Sequence, residues 1–183
     1  MTRFTKVLAR RRIPLGFLFG LAVLWLAQPT PVSLALGGPI AALGETLRIW
    51  AAGHLNKAQE VTSSGPYGWF AHPLYIGSSI MGAGLAVASD SPIAALLIAI
   101  YLGATLTAAI RSEEAFLRRT FGDQYDRYRG ARGASSHDAR PFSAALAIAN
   151  HEHRTAVGVL VAVLLLVLKA TYNGLFWRAA AGG

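Results

Sequence analysis

The sequence predicts an all-α integral membrane protein with about five transmembrane helices, in a single membrane-embedded domain spanning residues 1–183. Three observations carry this reading. Hydrophobic residues make up 54% of the chain and charged ones only 14%, against roughly 25% charged in an ordinary soluble domain. The apolar residues fall in long blocks rather than short alternations, and the mean hydropathy is +0.42. The positive charges alternate with those blocks, as membrane topology requires.

Helix 1 is expected over about 13–27, within RRRIPLGFLFGLAVLWLA. This stretch reads as a first transmembrane helix rather than a secretory signal, because further apolar segments follow and no A-x-A-like site does. QPTP ends it with two prolines. Helix 2 is expected over about 32–54, where Glu45, Arg48 and Trp50 bring its second half to an interface. A polar stretch with Gly and Pro turn signals leads to helix 3, about 73–88, and SDSP separates that from helix 4, about 92–110. A charged helix follows, RSEEAFLRRTFGDQYDRYRG, whose Phe121, Tyr125 and Tyr128 share one stripe. PFSAALAIAN reads as an interfacial helix, and helix 5 as about 155–177.

The 17 Lys and Arg residues sit at the N-terminus, at Arg48 and Lys57, and between Arg111 and Arg154, all but Lys169 and Arg178. That pattern places the N-terminus and both long polar loops in the cytoplasm. It also assigns the net charge of +8 to topology rather than to nucleic acid. A bacterial inner membrane is the expected location. The chain has no cysteine, which excludes disulfides, thiolate catalysis and Cys-ligated metal. NHEHR at 150–154 offers two histidines two residues apart with no evident third ligand, so no metal site is expected there.

Two clusters bear chemistry. The first is FAHPLYIG at the entrance to helix 3. Pro73 suits a first helical turn. His72 and Tyr75 read either as interfacial anchors or as polar contacts to a ligand. Ser78, Gly82 and Ala86 form a small-residue ridge for a neighbouring helix, or else Gly77, Gly82 and Gly84 expose backbone to a flat ligand. The second cluster is Glu113-Glu114. Glu114 has Arg111 at i−3 and Arg118 at i+4, and ordinary helix pairing accounts for it. Glu113 has Ala109, Ile110, Phe116 and Leu117 at the corresponding positions. It therefore needs water or a cation from elsewhere, and a cationic ligand is one such partner.

Taken in order, GETLRIWAAGHLNK, TSSGPYGWFAHPLYIGS, GAG and EEAFLRRTFGDQYDRY resemble the isoprenylcysteine carboxyl methyltransferase family, which is related to the phospholipid N-methyltransferases. The resemblance covers about residues 44–128. It implies an S-adenosylmethionine-dependent methyltransferase with a cytoplasmic-side helical cofactor pocket and a lipophilic or lipidated acceptor drawn from the membrane lipid. It also implies that His72, Pro73, Tyr75, Gly77, Gly82, Gly84, Glu113 and Glu114 bind the cofactor; Glu113, with no cation on its own helix, is the residue expected at the cofactor's ammonium group, and Glu113, His72 and Tyr75 are the expected catalytic set. Arg48, His54, Lys57 and Arg111 are candidates for meeting the acceptor. Carboxyl O-methylation is the favoured reaction and phospholipid or amine N-methylation the alternative. Two positions depart from the family pattern: Ala71 stands where Arg usually precedes His-Pro, and Ala109 where an Arg often lies one turn before the Glu pair. An NADPH-dependent sterol-reductase-like enzyme and a non-catalytic membrane subunit remain as rival readings.

Overall fold

The structure is a computed structural model that describes residues 16–57, 59–130 and 140–174, the side chains of 127–129 excepted. The basic residues 3–12, the start of the first helix at 13 and the end of the last at 177 lie outside these residues.

Every regular element among the described residues is a helix, without strands. In order they form α1 (Gly16–Leu26), α2 (Pro31–Ala52), a 3-10 turn (Gly65–Gly68), α3 (Pro73–Ser89), α4 (Pro92–Phe121), α5 (Asp123–Gly130), α6 (Ala144–Ala149) and α7 (Glu152–Tyr172). Two of them, α4 and α7, are long and apolar enough to cross a membrane. Their apolar side chains face outward: Ile93, Leu96 and Ile100 on α4, and Val157, Leu160, Leu164 and Leu168 on α7, are all more than half exposed. A contiguous apolar surface of that kind is stable against lipid and not against water. The protein is a membrane protein.

Prolines start three of these helices at a position where the missing N–H is no loss. α2 also carries a reciprocal cap. Ser33 N donates to Thr30 Oγ1 at 3.1 Å, and Thr30 N donates to Ser33 Oγ at 2.9 Å. The Thr30 hydroxyl reaches on to Asp90 Oδ2 at 3.0 Å, tying the QPTP turn to the SDSP turn. Asp90 itself adopts a left-handed conformation, φ 47°, which lets α3 reverse into α4 through two residues.

The largest helix interface is between α2 and α3, and it is built from backbone. A Cβ at Gly44 would lie 2.6 Å from the Gly77 carbonyl oxygen, and one at Gly84 would lie 2.7 Å from both the Ala41 Cα and the Gly37 carbonyl oxygen. Only hydrogen fits at these positions, so the two helix axes approach closely. The ridge used is Gly77, Met81, Gly84 and Ala88, one position off the Ser78–Gly82–Ala86 row that the sequence offers.

The helix expected over 92–110 continues to Phe121. Charges begin at Arg111, which ends the hydropathy block, yet nothing in the backbone interrupts the helix before Gly122, φ 47°. That glycine also separates Phe121 from Tyr125, so the proposed aromatic stripe does not run along one helix. Tyr125 is buried, at 2% exposure.

Candidate functional site

His72 occupies the N-cap of α3, with Pro73 buried behind it. The imidazole lies against α4, where it meets both carboxylates. His72 Nδ1 lies 3.8 Å from Glu113 Oε2, and Nε2 lies 3.4 Å from Glu114 Oε1. Tyr75 sits one turn into α3, its ring centroid 5.7 Å from that of His72, with its phenol placed to donate to Glu113. The third and fourth helices thus bring His72, Tyr75, Glu113 and Glu114 into one cluster. Glu113, which has no cation within reach on its own helix, faces the imidazole and the phenol of α3.

Below this cluster an open groove of about 620 Å³ runs between α3 and α4. Its mouth is formed by Ala71, His72 and Tyr75, and its walls by residues including Gly82, Leu102 and Ile110. Among its lining residues there is no Lys or Arg. Gly82 faces the tip of Leu102 on α4, whereas Gly77 and Gly84 face the backbone of α2. Of the three glycines assigned to the cofactor from sequence, Gly82 alone lines the groove.

The four residues assigned to the acceptor lie in different surroundings. Arg48 is held by Glu152 of α7, through Nε at 2.7 Å and Nη2 at 3.1 Å. His54 is buried with its Nδ1 3.3 Å from Ser64 Oγ, and its ring fills the space a Cβ at Gly65 would need. Burial and the Arg140 charge lower the His54 pKa. Lys57 and Arg111 are exposed. Arg118, assigned from sequence to Glu114, lies 3.6 Å from Asp126.

Two partnerships have no signal in the sequence. Glu152, within the NHEHR stretch, is 4% exposed and pairs with a residue 104 positions away. Glu60 is gripped by Arg140, with Nη2 to Oε2 at 3.2 Å. Asn150 donates to the carbonyls of Ala52 and Leu55, both at 2.9 Å, so the 140–150 segment fastens the loop after α2. His151 and His153 touch edge to face with centroids 6.1 Å apart. Among the described residues no group of three metal-ligating side chains converges.

The described helices thus place a paired-carboxylate, imidazole and phenol cluster beside an apolar groove in a membrane protein. The profile of the phospholipid methyltransferase family matches residues 18–124, and the chain belongs to that family. It is also similar to a nickel-cobalt-cadmium resistance protein, NccN, of Alcaligenes xylosoxydans xylosoxydans, 30% identical over 106 residues (57% of this chain, 48% of that protein). Protein-S-isoprenylcysteine O-methyltransferase of Schizosaccharomyces pombe is 30% identical over 86 residues (47% of this chain, 36% of that protein). A cobalt-zinc-cadmium resistance protein, CzcN, of Cupriavidus metallidurans is 30% identical over 94 residues (50% and 44%). The chain spans less than half the length of each of these relatives. No solved structure matches it. That family is one of membrane methyltransferases.

Proposed function

We propose that the protein transfers a methyl group from S-adenosylmethionine to a lipophilic acceptor at the cytoplasmic face of a bacterial inner membrane, with α1, α2, α3, α4 and α7 as its five spans. The observation that supports this most is the convergence of Glu113 and Glu114 on His72 and Tyr75, which form the mouth of the groove between α3 and α4.

The residues present fit the donor's chemistry. Two carboxylates face one imidazole, so the mouth is suited to a ligand bearing positive charge. The groove walls are apolar and carry no cation to repel it. α3, with 17 residues, reaches only about 25 Å, so its His72 end is recessed relative to the longer α4.

When bound, the donor supplies an activated methyl group on a sulfonium whose departure leaves a neutral thioether. Glu113 would hold the donor's ammonium, and the Tyr75 hydroxyl would fix that carboxylate. His72, placed between both glutamates, would keep their two charges apart from each other and aligned towards the mouth. Leu102 and Ile110 would exclude water, and alignment together with water exclusion is the main demand of a reaction whose leaving group is already activated.

Carboxyl O-methylation of an isoprenylcysteine-like acceptor is the first reading of the acceptor chemistry. The groove's charge favours a second. Ala71 stands at its mouth, no Lys or Arg lines it, and Arg48 is occupied by Glu152, which suits an amine acceptor better than an anion. An amine must lose a proton, and His72 or Glu113 is placed to take it.

Calorimetry of the detergent-solubilised protein tests the proposal. S-adenosylhomocysteine should bind and NADPH should not. Binding of NADPH would turn the reading towards a reductase, and binding of neither towards a non-catalytic subunit.

A further inference from the structure

On the far side of α3 from the groove, α2, α3 and α7 enclose a buried charged cluster for which the proposed chemistry has no use. Arg48 is its centre. The guanidinium donates to Glu152 through two nitrogens, to the Leu74 carbonyl at 3.3 Å and to the Ser78 hydroxyl, and to Thr155 Oγ1 at 3.4 Å. Its aliphatic stem lies on Gly77, where a Cβ would come within 2.6 Å of the Arg48 Cγ. Arg48 therefore touches residues 74, 77 and 78, the turn of α3 that contains Tyr75 and directly follows His72.

A second carboxylate lies close by. Glu45 Oε2 is 3.7 Å from Arg48 Nε, with only 9% of its side chain exposed, and neither of its oxygens has a hydrogen-bond partner among the described residues. The charged groups facing one another are thus Glu45 and Arg48 from α2 and Glu152 from α7, while α3 contributes a hydroxyl and a carbonyl. A buried guanidinium with two carboxylates at hand can change partner without being left bare, whereas a buried charge with no partner is strongly destabilising.

We propose that Arg48 is a positioning residue that locks the first turn of α3 to α7 through Glu152 and so sets Tyr75 and His72 against Glu113 and Glu114. Glu45 is the reserve counter-charge. The link to methyl transfer rests on the function proposed above, but the mechanical claim does not. The fork geometry of arginine matters here, because one planar group must reach two helices at once.

The pair of variants Glu152→Gln and Glu45→Gln separates positioning from bulk stability. In Glu152→Gln, Glu45 still matches the Arg48 charge, so the protein folds, yet the tie to α7 is broken. In Glu45→Gln the tie is untouched. The direct readout is fluorine NMR of the full chain with fluorotyrosine at position 75 alone, without any ligand. The Tyr75 resonance should shift and broaden in Glu152→Gln, stay in place in Glu45→Gln, and return towards the parent position in Glu152→Asp. A parallel titration with S-adenosylhomocysteine should weaken about tenfold in Glu152→Gln, as expected when a binding group is displaced, and stay unchanged in Glu45→Gln. An unmoved resonance in Glu152→Gln, or equal shifts in Glu45→Gln and Glu152→Gln, overturns the assignment. A moved resonance in a protein that binds no S-adenosylhomocysteine upholds the positioning role and removes the methyl-donor reading instead.

Discussion

Replacing Gly84 by alanine drives a methyl group into the backbone of α2. The new Cβ would stand 2.7 Å from the Ala41 Cα and from the Gly37 carbonyl oxygen, and neither is the end of a side chain that could rotate away. The helices must separate by several tenths of an ångström along their closest seam, which also loosens the paired contacts at Gly44 and Gly77. Overpacking of this kind costs roughly 1–3 kcal/mol, and the rigid backbone on both sides places Gly84→Ala at the upper end. At roughly 2–4 °C per kcal/mol for a chain of this size, the melting temperature should fall by about 6–12 °C. Gly103→Ala is the control, since no heavy atom lies within 4 Å of its Cβ position and alanine is the better helix former. Gly82→Ala meets side chains rather than backbone, the movable tip of Leu102 and Ile98 Cγ2, and should fall between the two. The assay is thermal unfolding followed by tryptophan fluorescence in detergent, for which the chain's four tryptophans suffice. A Gly84→Ala protein that melts within about 2 °C of Gly103→Ala would refute the backbone-to-backbone packing of α2 on α3.

Three further outcomes follow from the same geometry. Hydrogen bonds from Arg140 and Asn56 hold the Glu60 carboxyl below its ordinary 4.5. The stability this clamp contributes is full above about pH 4.5 and lost as pH falls through the lowered value, so amide exchange in residues 54–62 should rise on acidification, and Glu60→Gln should abolish that pH dependence. Lys169 Nζ donates to the carbonyls of Leu24 and Trp25 at 2.7 and 2.6 Å, capping α1 from α7. Lys169→Met should cost roughly 1–3 kcal/mol and expose the end of α1 to proteolysis before any other described helix. Glu113→Gln should weaken S-adenosylhomocysteine binding at least about tenfold more than Glu114→Gln, measured by calorimetry; equal and small effects would defeat the distinct roles given to the two carboxylates.

What the sequence made legible and what it hid differ by the kind of signal involved. Pro73 after His72 marks the start of α3, and the structure begins the helix at that proline, because a first-turn proline is a local, steric signal. The end of α4 is not marked by hydropathy. Arg111, Glu113 and Glu114 change the solvent preference of the helix without breaking its hydrogen bonding, and the break waits for Gly122. The small residues of α3 announce close packing, but two overlapping rows satisfy the same spacing, and only the partner helix selects Gly77–Gly84 over Ser78–Ala86. Pairings between distant segments leave no periodic trace at all. Arg48 with Glu152, and Glu60 with Arg140, emerge only when α7 and the 140–150 segment are placed beside α2. His72, which reaches Glu114 from the preceding helix, is a partner of the same hidden kind.

The central claim is that the His72, Tyr75, Glu113 and Glu114 cluster serves methyl transfer to a lipophilic acceptor. Its most direct test is to incubate the purified protein in native lipid extract with methyl-labelled S-adenosylmethionine and to count label in the organic phase. The account predicts label in that phase for the parent protein and its loss in Glu113→Gln; release of the label as methanol on mild base treatment would identify a carboxyl ester, and its retention an amine. A folded parent protein that transfers no label, or a Glu113→Gln protein that transfers as much as the parent, would contradict the account.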